Sequence, residues 1–177
     1  DIITPAMEVG SSLMGIPSFE TPNFSEILSE EKAMIAKLKN AFLMISGKAV
    51  QTYGMDLENH QQLILAAAEL MLEDYMAESA ILKAEKIAKS TSEKEAEYQI
   101  AMAKLNLYNA VETSANMGKE AILYFSEGDE QRMMLMGLKR YIKYVNMPNI
   151  IELRNIIADK VIKENKYCFE FVALNKR

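Results

Sequence analysis

An all-α fold, an antiparallel up-down bundle of three long helices with shorter N- and C-terminal helices, is predicted by three observations. No proline occurs between Asn23 and Met147. The glycines inside that span stand singly. Apolar residues recur there at spacings of three and four. Proline costs about 3 kcal/mol inside a helix and glycine about 1 relative to alanine, so sparing both leaves long helices uninterrupted. Half of the 177 residues are apolar, and a chain of this length buries about 70% of its unfolded surface. The chain therefore reads as one bundle domain, residues 29–177, behind a strap of residues 1–28.

The strap holds a short helix from Thr4-Pro5 to about Leu13, with threonine as cap and proline in the first turn. Gly15, Pro17 and Pro22 then break it, and Met14, Ile16, Phe19 and Phe24 serve as apolar anchors. The first long helix starts at Ser25 or Ser29 and ends near Tyr53, with Gly54 as its cap. Its apolar face is Ile35, Leu38, Phe42, Ile45 and Ala49. The second runs from about Leu57 to Ala88 with Leu63, Ala67, Leu70, Ala77, Ile81, Ala84 and Ala88 in a bundle-like stripe. Ser92 and Glu95 form a capping box for a third helix that ends near Phe125. Two stripes on this helix, one through Ile100, Leu107 and Phe125 and one through Tyr98, Leu105 and Ile122, place it at the centre. A fourth helix spans Gln131 to about Val145. Asn146 to Asn149 close it, and Ile150 to Glu164 form the last helix, followed by a tail anchored through Tyr167, Phe169 and Phe171.

Few residues in this scaffold promise chemistry. His60 is the only histidine, whereas a di-iron bundle needs two Glu-x-x-His motifs on separate helices. His60 is expected to be exposed and without function, because metal ligands come in convergent sets. Cys168 is the only cysteine, so no internal disulfide closes. That fits a reducing, cytoplasmic compartment, and Cys168 reads as a buried inert thiol. No two glycines lie close enough to cradle a phosphate. Glu69, Glu73, Asp74 and Glu78 read as a solvated helix face. No apolar run approaches the roughly 20 residues of a membrane span, and the chain, beginning at Asp1, reads as a fragment or processed product.

Charge is the one electrostatic lead. Up to Glu130 the chain carries −11, and from Gln131 onward +6, within a net charge of −5. Arg132, Lys139, Arg140 and Lys143 concentrate the basic side on one helix, opposite Met134, Leu138, Tyr141, Ile142 and Val145. Such a helix folds back on the acidic bundle, which is the preferred reading, or meets a membrane, nucleic acid or an acidic protein surface. Met133, Met134 and Met136 read as adaptable packing, with a soft surface for an acyl chain or another subunit as the sharper option.

Three stretches carry a family resemblance. The first is Asn59-His-Gln-Gln-Leu-Ile-Leu with Asp74-Tyr-Met-Ala-Glu-Ser-Ala-Ile-Leu-Lys, the second Glu127-Gly-Asp-Glu-Gln-Arg-Met-Met-Leu-Met-Gly-Leu-Lys-Arg, and the third Ile157-Ala-Asp-Lys-Val-Ile-Lys-Glu-Asn-Lys-Tyr-Cys-Phe. Together they resemble the C-terminal helical extension of bacterial acyl-CoA dehydrogenases of the very-long-chain type. The resemblance implies a noncatalytic accessory domain of an enzyme of fatty-acid β-oxidation, with FAD, the acyl-CoA pocket and the catalytic glutamate in an upstream core. It implies packing on that core and support for a second subunit. Phe125-Ser126-Glu127-Gly128 imitates the family's Tyr-Glu-Gly-Thr segment only in part, so no catalytic role passes to Glu127. The basic segment that aids membrane association in mitochondrial members has no counterpart in Pro5 to Ser29. This chain is therefore expected to hold no cofactor and to meet no nucleic acid, and membrane contact, if it occurs, falls to the helix of Arg132 to Lys143. The alternative is a free-standing helical oligomerisation or protein-interaction module.

Overall fold

The computed structural model describes residues 26–166. The short helix after Thr4, the anchors Met14 to Phe24, Cys168 and the aromatic tail lie outside the described residues. Within them the chain forms five α-helices and one 3-10 helix, with no strand. These are α1 (Ser29–Tyr53), the 3-10 helix (Gly54–Asn59), α2 (Gln61–Ser90), α3 (Glu97–Phe125), α4 (Gly128–Tyr141) and α5 (Ile150–Glu164).

α1 begins at Ser29, after a left-handed Leu28 (φ 60°), so the serine is the first helical residue and makes no side-chain cap. The Leu28 carbonyl accepts from Lys32 N at 3.0 Å, and Glu30 and Glu31 sit in the first turn, where the helix dipole favours them. At the other end Gly54 takes φ 52°, a left-handed value that glycine adopts without a Cβ penalty. α2 starts later than the stripe from Leu57 suggests, because local bonds favour a tighter turn. Asn59 Nδ2 donates to Asp56 Oδ1 at 2.7 Å and His60 N to the Leu57 carbonyl at 2.9 Å.

Only half of the expected capping box forms, in the turn ahead of α3: Glu95 N donates to Ser92 Oγ at 3.2 Å, while the Glu95 carboxylate accepts from the Ser92 hydroxyl at 3.1 Å, and the N-cap of α3 is Ala96, with no side-chain cap. Continuous helix follows only from Glu97. α4 stops at Tyr141, four residues short of Val145. Its end tightens as Lys143 N reaches the Arg140 carbonyl at 3.4 Å, and Asn146 Nδ2 donates to Glu30 Oε1 at 2.8 Å, drawing the link toward the start of α1. Val145 is consequently exposed in that link. α5 has the expected bounds, its first turn capped by Asn149 Oδ1 accepting from Glu152 N at 3.3 Å.

α3 packs against α1, α2, α4 and α5, which makes it the central helix its two stripes predict. Ile35, Leu38, Ile45 and Ala49 of α1 are buried, as are Leu63, Leu70, Ala77, Ile81, Ala84 and Ala88 of α2; Phe42 and Ala67 are half-buried. The core divides along the bundle into two clusters. One gathers Ile45, Leu63, Leu70, Ile122, Leu138 and Tyr141; the other gathers Leu28, Ile35, Leu38, Ile81, Leu107 and Val111. Gly118 permits the first of these. A Cβ there would stand 3.0 Å from both Leu138 methyls and 3.1 Å from Ile45 Cδ1, closer than ordinary packing allows.

Candidate docking surfaces

The predicted basic face is only partly assembled. Arg132, Lys139 and Arg140 are exposed on α4, opposite the buried Met134, Leu138 and Tyr141, as the spacing requires. Lys143 lies beyond the helix end, in the link. Its carbonyl accepts from Lys37 Nζ at 3.0 Å, and burial together with the nearby Lys143 charge lowers the Lys37 pKa. Arg132 reaches back to Asp129 at 3.2 Å, an exposed pair of little energetic weight. Other cations also answer the acidic bundle. Lys48 of α1 pairs with Glu130 of α4, Lys39 with Glu78 at 2.6 Å, and Lys104 with Glu31 at 3.0 Å. Glu85 accepts from Lys32 at 2.5 Å and Lys89 at 2.7 Å, and these hydrogen bonds hold its carboxyl below the usual range.

His60 is half-buried rather than exposed. Its ring stacks 3.7 Å from that of Tyr53, Nδ1 lies 2.8 Å from Tyr124 Oη, and Nε2 lies 3.2 Å from Asp56 Oδ2. This ties the entry of α2 to the end of α3. Hydrogen bonds from Asn59 and then His60 lower the Asp56 pKa. Tyr124 is 64 positions from His60, so nothing in the local sequence announces the contact.

The carboxylates expected on one solvated face of α2 do not share one environment. Asp74 is buried in the bundle, and its Oδ1 has no hydrogen-bond partner. Burial raises its pKa to about 6, with Lys39 opposing and Glu78 reinforcing the shift. Glu73 is raised by partial burial and by the neighbouring Glu69. Among the described residues no group of three or more His, Cys, Asp or Glu is placed to hold a metal ion.

The outward side of α2 is instead apolar. Leu65 is 59% exposed, Leu72 49%, Tyr75 69% and Leu82 51%, and Met71 and Met76 flank them. With Ala68 and Ser79 the stripe repeats at spacings of three and four, diametrically opposite the buried Leu63–Leu70–Ala77–Ile81–Ala84 stripe. Between Gln61 and Leu82 no exposed position of α2 is charged, Glu69, Glu73 and Glu78 being half-buried beside the stripe. α5 likewise leaves Ile151 and Ile162 more than 70% exposed while its other side rests on α3. No helix among the described residues is long and apolar enough to cross a membrane.

A family model described as "Acyl-CoA dehydrogenase, C-terminal domain" matches residues 37–140. A "Probable acyl-CoA dehydrogenase" of Bacillus subtilis (strain 168) is 27% identical over 143 residues, which are 81% of this chain and 24% of that protein. The crystal structure of an acyl-CoA dehydrogenase complexed with FAD, from Bacillus anthracis, superposes with a TM-score of 0.87 at 26% identity, over 95% of this chain and 28% of that one. The chain thus spans about a quarter of the length of the relatives it matches.

Proposed function

Because the chain belongs to the acyl-CoA dehydrogenase C-terminal domain family, we propose that it is the noncatalytic accessory domain of an FAD-dependent acyl-CoA dehydrogenase of the very-long-chain type. It packs on the catalytic core and supports subunit association in a cytoplasmic dimer that serves fatty-acid β-oxidation. Residues 29–177 act as the domain and 1–28 as the strap leading into it. The observation that carries this reading is the superposition of 95% of the chain on 28% of an enzyme solved with FAD.

On this reading FAD and the chemistry it supplies belong to the core, and this chain is expected to hold no cofactor. Gly118 is used for close helix packing, and Gly54 and Gly128, the first residues of the 3-10 helix and of α4, stand singly with positive φ. None of them builds a run of backbone N–H groups around a phosphate. The exposed cations Arg132, Lys139, Arg140 and Lys143 suit an acidic surface of a second subunit, where they steer assembly more than they hold it.

The test has two parts. The whole product of the gene encoding this chain is expected to purify with FAD and to oxidise a fatty acyl-CoA in the presence of an artificial electron acceptor. The 177-residue chain alone, titrated with FAD and with an acyl-CoA, is expected to show no saturable binding. A gene product without a dehydrogenase portion, or saturable FAD binding by the chain alone, would overturn the proposal.

A further inference from the structure

The outward stripe of α2 is too large and too regular to be incidental. Six large side chains (Leu65, Met71, Leu72, Tyr75, Met76 and Leu82) run along about 25 Å of one helix face. Their exposed area is on the order of 500 Å², the upper end of what a monomer leaves open to water. Solvated helix faces carry charges, and between Gln61 and Leu82 none of the exposed positions of this helix is charged. We propose that this stripe, and not the basic edge of α4, is the surface on which the catalytic portion of the same polypeptide docks. The inference rests on the reading of the chain as a dehydrogenase accessory domain.

Three observations select that occupant. Relatives are about four times as long as the region this chain matches, so roughly three quarters of such a protein is available to cover the stripe. A tethered partner acts at an effective concentration of about a millimolar, far above the concentration of a free second copy, and so takes a weakly binding apolar face first. The rim supplies the third. Glu69 and Glu73 stand one helical turn apart at the stripe's edge, and neither has an ion-pair partner among the described residues. Their mutual repulsion is relieved by a cation from the covering surface. The docking surface on the core is accordingly an apolar helical face with a basic residue at its margin. Tyr75 and Leu72, at the middle of the stripe, are its anchors, as large side chains at the centre of a contact carry most of its energy.

A photo-crosslinking amino acid placed at Leu72, and separately at Met136 on exposed α4, in the whole gene product distinguishes the possibilities. Position 72 is expected to cross-link to peptides upstream of Asp1, at least tenfold more than position 136 does. Cross-links from 72 only to α2 of a second copy would replace the core with a homotypic partner and overturn the proposal. Cross-links to upstream peptides from 136 and not 72 would overturn it while leaving the accessory-domain reading intact. A gene product with no dehydrogenase portion would sink both. Leu72→Asp with Tyr75→Asp provides a second measurement. The 177-residue chain bearing both changes is expected to keep its helical circular dichroism and melting temperature. The whole protein bearing them is expected to be cut by protease between core and domain at least tenfold faster, and unchanged cleavage would contradict the assignment.

Discussion

α3 and α5 both carry aliphatic residues at helical spacing, yet α3 buries eleven residues and α5 none. The difference lies in their neighbours. α3 packs against four helices, whereas among the described residues α5 rests chiefly on α3 and turns Ile151 and Ile162 to water. An apolar stripe states that a face can be buried; the number of neighbouring elements decides whether it is. α2 holds both situations on one helix, with Ile81 1% exposed and Leu82 51%.

The largest effect should come from the centre. Ile122 of α3 is fully buried among α1, α2 and α4 residues, and Ile122→Ala is expected to remove about 3 kcal/mol of stability through lost burial and a residual cavity. Urea denaturation followed by circular dichroism measures it. A loss below about 1 kcal/mol would mean that α3 is not the packed centre. Gly118→Val comes next, at about 2 kcal/mol, since its Cβ alone would press on Leu138 and Ile45. If the valine variant matched the parent in midpoint, the close approach of α1, α3 and α4 would be disproved.

Much of this arrangement was legible in the sequence. The bounds of α5 were, because Pro148 and Asn149 punctuate the chain and Asn149 caps the helix. So was the centrality of α3, because two apolar stripes need two coverings. The outer stripe of α2 was not, because Glu69, Glu73 and Glu78 interleave with it in the sequence and give that stretch the composition of a solvated face. A count of apolar residues at three-and-four spacing through Leu65, Leu72, Tyr75 and Leu82 would have found it. Asp74 was misplaced for the same reason, as a carboxylate among carboxylates, although its spacing from Leu70 and Ala77 puts it on the inner stripe. The His60 contact with Tyr124 was out of reach, because it depends on how the ends of α2 and α3 meet. α4 was drawn too long because Ile142 and Val145 continue its period while the link bends away.

Asp74 sharpens the contrast between the two sides of α2. Its folded-state pKa, about 6, lies above the usual aspartate value. Below about pH 4 both folded and unfolded chains hold the proton; between there and pH 6 the folded chain holds more. Its contribution is thus fully present at low pH and is lost as pH rises through 6. Asp74→Asn is expected to abolish that part of the pH dependence and to stabilise the chain at pH 7 by about 1–2 kcal/mol. Urea midpoints of both proteins at pH 4.5 and pH 7 give the comparison, and an equal gap between them at the two pH values would refute the assignment.

The smallest effect belongs to the outer side of α5. Ile162 is 74% exposed, so Ile162→Ser removes little buried area and is expected to change stability by less than about 0.5 kcal/mol. Ile156, half-buried on the same helix, serves as the internal contrast, with Ile156→Ala expected to cost about 1–2 kcal/mol. Thermal melts of the two variants would separate the sides of α5 as Ile81 and Leu82 separate those of α2. Were Ile162→Ser to cost as much as Ile156→Ala in the 177-residue chain, some part of that chain would have to cover α5. The difference between α3 and α5 would then reflect an additional neighbour and not a free face. A cost that appeared only in the whole gene product would place that neighbour outside residues 1–177.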